Sequence, residues 1–194
     1  MTEGGDVLSL EEFRYHWEAV YGTTLPLGHR LYQAFPNRWF RIHTLPKSKR
    51  YPENETERLE ILRRHNTLLS DLLEPENDIV VVTTTFSFQA TPERPNAEYA
   101  LENLEKLEWL RTEVKDEVYS HFWISQHVWN PGILDPALRK VMNDEMRFII
   151  SSVQKKCVYA PYDGGADVIL EFPELRDTMR AKYSSWLSLH PQGL

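Results

Sequence analysis

One short stretch, residues 158–170, gathers the side chains best suited to chemistry: Tyr162, Asp163 and Asp167. Two carboxylates beside a phenol could hold a hard cation or polarise a water. The same residues also suit plain structural work. Asp163 can shape a turn through nearby backbone amides, and Asp167 can pair with an arginine or a helix N-terminus. A loop metal site would show further carboxylates at fixed spacing, and these do not, so no metal is expected.

A second set lies on residues 118–129, where Tyr119, His121, Trp123 and His127 fall on one face of an alternating run. The two imidazoles are six residues apart, about 20 Å along a strand at ~3.4 Å per residue, too far to share an ion. No H-x-x-x-H pair or HExxH motif supports zinc. Nucleophilic catalysis finds no G-x-S-x-G elbow, and the single cysteine, Cys157, has no recognisable partner. The eight glycines never form a P-loop or a dinucleotide fingerprint, so no cofactor is implied.

A third set is basic and aromatic: Arg38, Arg41, Lys47, Lys49 and Arg50, interleaved with Trp39, Phe40 and Tyr51. Residues 38–51 therefore have the composition of a small nucleic-acid patch, with phosphate contacts and base stacking. Against this, the chain carries a net charge of −7, and five cations make a small footprint. The balance weighs against nucleic acid.

These residues must be positioned by an alternation of helices and strands. Ser9-Leu10-Glu11-Glu12 fits a capping box, opening a helix that Gly22 ends. Arg30 to Phe35 suits a short helical turn, and Arg38 to Leu45 has strand character without clean alternation. A long helix follows Asn54, with Leu59, Leu62, His65 or Asn66, Leu69 and Leu72 or Leu73 as its buried stripe. Residues 78–88 read as a strand buried on both faces at its Ile-Val-Val-Val start. Asn96 to Lys106 has helical spacing, and Leu107 to Glu113 is ambiguous between the end of that helix and an edge strand.

Residues 118–129 alternate strictly, as a long strand does. Val118, Ser120, Phe122, Ile124, Gln126 and Val128 form its core face. Asp135-Pro136 suggests an N-cap before an N1 proline. Residues 148–153 form another strand, and residues 158–170 a hairpin turning at Asp163-Gly164-Gly165, a triplet tolerant of positive φ. Leu175, Met179, Tyr183, Trp186 and Leu187 keep helical spacing to the end. Five to six strands, several joined by hairpins, imply an α+β fold. The sheet should be mostly antiparallel or mixed, with helices packed on it. Residues 1–194 read as a single domain, with 1–7 and 190–194 frayed.

Composition sets the class. Hydrophobic content of 41% and charged content of 26% are globular values, which excludes wholesale disorder. One cysteine excludes an intramolecular disulfide. The acidic start, Met1 to Asp6, lacks the basic residues and apolar run of a signal peptide. No apolar stretch approaches the ~20 residues needed to span a bilayer, so no membrane association is expected and the cytoplasm is the expected compartment.

The run from Val158 to Ile169, followed by Leu175 and Lys182-Tyr183-Ser184-Ser185-Trp186-Leu187, resembles the end of an uncharacterised bacterial domain family. That family has a Tyr-Asp turn, a second Asp and a helix carrying Lys-Tyr-x-x-Trp. The likeness covers roughly the last 35 residues, and Gly164 and Gly165 stand where an acidic and a basic residue are expected. It implies a bacterial cytosolic origin and a hairpin–helix ending, and no known activity. The leading functional expectation is a non-enzymatic protein-interaction module, inhibitor- or immunity-like, using the aromatic face of residues 118–129 on a protein partner. The alternatives are a hydrolase-like enzyme using Asp163 and Asp167 with His121 or His127, and a nucleic-acid binder through residues 38–51. A concave surface joining His121, Trp123 or His127 to Tyr162 or Asp163 is the expected site.

Overall fold

Local sequence rules account for the helix starts. Ser9 caps α1 (Leu10–Tyr21): its hydroxyl accepts from the Glu12 amide at 3.2 Å, and the Glu12 carboxylate accepts from the Ser9 amide at 2.8 Å. Gly22 ends the helix at φ 61, where a side chain would be strained. Asn54 caps α3 (Glu55–Leu73) through the Glu57 amide. The other helices are α2 (Gly28–Ala34), α4 (Asp135–Met142) and α5 (Pro173–Lys182). This computed structural model describes residues 8–91, 95, 101, 105–107, 112–114 and 118–188. Among them, no helix is long and apolar enough to cross a membrane.

The strands are β1 (Trp39–His43), β2 (Asp78–Ser87), β3 (Glu105–Lys106), β4 (Thr112–Val114), β5 (Val118–Val128), β6 (Phe148–Ser152), β7 (Cys157–Tyr162) and β8 (Gly165–Ile169). They form one sheet in the order β1-β8-β7-β6-β2-β5-β3, with β4 also on β5, and every pairing is antiparallel. The fold is α+β, as the alternation of patterns implied. Six of these strands have five residues or more, and β3 and β4 are short additions to the edge.

Helices cover both faces. On one, Phe13, Trp17 and Tyr21 of α1 and Leu31 of α2 pack against Val80, Val82, Phe122, Ile149 and Ala160. On the other, α3, α4 and α5 pack against Ile79, Val81, Trp123, Ile150, Tyr159 and Val168. A strand sandwiched this way buries successive residues, which is why Val80 to Val82 need no polar alternation. The C-terminal motif ties α5 to α3. Lys182 Nζ lies 2.5 Å from Asp71 Oδ2, the Tyr183 hydroxyl donates to the same carboxylate, and the Trp186 ring lies 5.0 Å from the Arg64 guanidinium.

Several expectations change. Leu59 is exposed, so the α3 stripe begins at Ile61 and Leu62, and Leu175 of α5 is exposed too. Asp135 is the first residue of α4 rather than its cap; its carboxylate accepts from Asn66 Nδ2 at 2.7 Å. Arg38 to Leu45 does not alternate throughout, since Thr44 and Leu45 are both buried, but β1 within it does: it buries Phe40 and Ile42 against α3 and leaves Trp39, Arg41 and His43 half-buried on the other face. The proposed helix at 96–106 falls mostly outside the described residues, but its last two residues are strand β3. Of Leu107 to Glu113, Thr112 and Glu113 pair with β5 as an edge strand. The expected fraying of 1–7 and 190–194 lies outside the described residues for 1–7 and 190–194 alike.

The hairpin forms as expected, β7 and β8 meeting at Tyr162 and Gly165, but for a different reason. Neither Gly164 nor Gly165 adopts a left-handed φ. Glycine is required at 165 by close approach: a Cβ there would sit 1.9 Å from the carbonyl oxygen of Ile42 on β1.

Candidate functional site

The sheet order brings two distant stretches together. β1 pairs with β8 so that Arg41 stands opposite Asp167. Arg41 Nε and Nη2 donate to the two Asp167 oxygens at 2.8 and 2.9 Å, a bidentate fork, and Trp39 Nε1 adds a third donor at 2.7 Å. Arg41 lies within 5.6 Å of the ring centres of Tyr32, Trp39 and Tyr162. Burial works against its charge, and the Asp167 bonds and charge outweigh burial, so its pKa is raised. The basic run read as a nucleic-acid patch and the carboxylate pair read as a catalytic candidate are halves of one structure.

Asp163, in the turn, is engaged similarly. Arg50 Nε donates to Asp163 Oδ2 at 2.6 Å. The hydrogen bond between Tyr51 and Asp163 raises the Tyr51 pKa, with burial adding to it. The carboxylates are the buried partners, with Asp163 5% and Asp167 4% exposed. Arg50 arrives on a loop where Lys47 and Ser48 both hold left-handed φ, at 59 and 55. Lys49 anchors that loop on Glu57 at 2.7 Å.

These pairs line a cavity of about 270 Å³. Its existence follows from strand lengths. β6 begins at Phe148, level with Thr83, while β2 runs on to Ser87, and β7 continues past its last β6 partner, Tyr159, to Tyr162. The gap left in the sheet is roofed by Pro26 to His29 at the start of α2 and flanked by Asp144, Met146 and Arg147 before β6. Thr84, Phe86, Ile149, Ala160 and Tyr162 form its floor and walls. Arg147 pairs loosely with Asp144 at 3.4 Å and lies over the Phe86 ring at 5.5 Å. Burial, then the charges of Arg30 and Arg147, lower the His29 pKa. Burial pushes the Tyr162 phenol up to about 12, so it is a neutral donor near neutrality.

Tyr162, Asp163 and Asp167 thus share one cavity. Tyr119, His121, Trp123 and His127 do not join them. β6 and β2 intervene between β7 and β5, and the registers put the β5 set on the α3–α5 face, opposite Arg41 and Asp167. There Trp123 is buried and donates to Thr85 Oγ1 at 3.0 Å, His127 Nε2 meets Ser125 Oγ at 2.9 Å, and His121 Nε2 meets Ser87 Oγ at 2.8 Å and stacks with Tyr119. His121 borders a separate opening with Phe86 and Phe88. Sequence reading missed His29, Phe86, Asp144 and Arg147. No local motif marks them, because only the unequal strand ends bring them to the cavity.

Fold and site together define an α+β domain on one antiparallel sheet, with a polar cavity at the sheet's notched end. The chain belongs to the family described as a domain of unknown function, DUF3885, whose profile matches residues 27–191. That span takes in β1 through α5 and all of the cavity lining except Pro26. It extends far upstream of the C-terminal run that carried the resemblance. No curated protein and no solved structure matches the chain.

Proposed function

We propose that this chain is a single-domain, non-enzymatic binding protein of the bacterial cytoplasm whose binding element is the cavity between β2 and β7, and that its ligand is a small polar molecule. One observation carries this reading: Arg41–Asp167 and Arg50–Asp163 converge on the same concave space as His29, Asp144 and Arg147. A concave, partly apolar space with a few converging polar groups is the usual form of a ligand site.

Binding without catalysis is favoured by how the reactive groups are held. Asp167 already accepts three donors, and Cys157 is buried with its thiol pushed up to about 12. The expected acid–base partners His121 and His127 face the other side of the sheet, so a hydrolase reading would need His29 instead. The basic run offers little to nucleic acid. Arg38 donates to the Leu170 carbonyl at 2.6 Å, Arg41 and Lys49 are paired with carboxylates, and Arg50, which gives only Nε to Asp163, belongs to the cavity lining.

An inhibitor- or immunity-like protein partner is the second reading. The face on which it was expected is covered, with Trp123 and Trp129 both buried. It draws support from a different place, the exposed rings of Phe86 and Phe88 at the end of β2 beside the cavity. A fragment screen followed by amide chemical shifts separates the two. Ligands that move Thr84, Ile149, Ala160 and Tyr162 support the cavity. A screen whose hits all map elsewhere contradicts it, and a protein partner lost on Phe88→Ser with the cavity signals unmoved transfers the function to the second reading.

A further inference from the structure

Charge is balanced around the cavity, three arginines against three aspartates, but hydrogen-bonding capacity is not. Arg41 spends its Nε–Nη2 edge on Asp167 and lies against aromatic rings. Arg50 uses only Nε on Asp163, and its side chain is 63% exposed. Arg147 uses only Nη2, at 3.4 Å from Asp144, and is 62% exposed. A guanidinium carries five N–H donors in a planar fork, so Arg50 and Arg147 keep most of theirs for other partners. On the acceptor side, both Asp167 oxygens are taken and one Asp163 oxygen holds Arg50, while Asp144 uses one oxygen at 3.4 Å and is 53% exposed.

Resting on the cavity reading above, we infer that the ligand carries an oxyanion, a phosphate monoester or a carboxylate, gripped between the free edges of Arg50 and Arg147, with an apolar body against Phe86, Met146 and Ile149. Forked guanidiniums match both oxyanions bidentately. Both arginines have contacts that hold them at the cavity rim. The Arg147 backbone is pinned by the Thr84 amide at 2.9 Å and its guanidinium lies over Phe86. Arg50 is fixed by Asp163 and by the Lys49–Glu57 pair beside it. Burial first, and then the charges of Arg30 and Arg147, disfavour the charged form of His29, while Asp167 favours it. The small volume, about 270 Å³, fits a compact molecule of this kind.

The test is calorimetric titration of the full chain with phenyl phosphate, benzoate, inorganic phosphate, benzyl alcohol and benzamidine, with amide shifts recorded for each. The expected result is binding of phenyl phosphate or benzoate, with shifts at Ile149 and Tyr162, weakened about tenfold by Arg147→Gln and less by Arg147→Lys. The stronger of the two aromatic anions identifies the oxyanion, and inorganic phosphate shows whether the apolar body contributes. Arg147 is exposed, so its variants should fold; Arg50→Lys, which keeps a cation beside Asp163, gives the second arm. Oxyanion binding unchanged in both Arg147→Gln and Arg50→Lys overturns the assignment. Benzyl alcohol or benzamidine moving the cavity signals while no oxyanion does also overturns it, yet leaves the cavity as a site. No probe moving those signals overturns both.

Discussion

At the scale of residues, Asp167 and Arg41 decide most. Their side chains are 6% and 16% exposed, so removing one leaves the other largely buried without an opposite charge, with Trp39 Nε1 still donating to Asp167. Asp167→Ala should destabilise by about 3–5 kcal/mol, and Arg41→Met by a similar amount. Replacing both, as Arg41→Met with Asp167→Leu, should cost much less than the sum. Urea unfolding of the two singles and the double measures this; simple additivity would show that the pair is not coupled. Sequence alone marked Asp167 as an acid in need of an arginine or a helix end. It did not say which arginine, because Arg41 lies 126 positions away and only the β1–β8 register joins them. The glycines of the turn were legible as a hairpin, but their cause was not. Ile42, whose carbonyl excludes a side chain at 165, belongs to a strand far off in sequence.

At the scale of elements, α1 and α3 were readable because their caps and stripes are local, whereas the helix read at 96–106 ends in strand β3. In α3, Leu62 and Leu69 are buried and Leu59 is not. Leu62→Ala should therefore destabilise by about 2–5 kcal/mol, while Leu59→Ala should stay within about 0.5 kcal/mol. Equal shifts in melting temperature would show the stripe misplaced. The strand pattern of 118–129 was equally plain, and its ambiguity was physical. Large rings and imidazoles on one face fit an open surface or a second packed layer, and periodicity is the same for both. The structure supplies the layer: Trp123 and Trp129 belong to the same core as the α3 leucines. The cavity was the least legible feature, because it depends on where β6 starts relative to β2 and β7.

At the scale of the whole molecule, pH offers a test of the packing. His65 sits fully buried between α3 and the sheet, its Nδ1 2.6 Å from the Tyr159 hydroxyl, and burial brings its pKa down to about 3. Burial also lowers His29, His43 and His127. A depressed histidine binds fewer protons folded than unfolded. Its contribution is complete above about pH 6.5 and is lost as pH falls toward 3, by at most about 1.4 kcal/mol per pH unit for one group. Urea midpoints should hold between pH 7.5 and about 6.5 and fall from there to pH 4, and His65→Phe should flatten, without abolishing, that slope. A slope unchanged by His65→Phe would place the titration elsewhere.

The notch between β2 and β7 is the place proposed for this protein's ligand. Crystals soaked with phenyl phosphate and with benzoate test it most directly. Ordered density is expected between Arg50 and Arg147, with the ring against Phe86 and Ile149. Density seated instead at the β5 face, or a cavity holding only water at concentrations that saturate binding in solution, would contradict it.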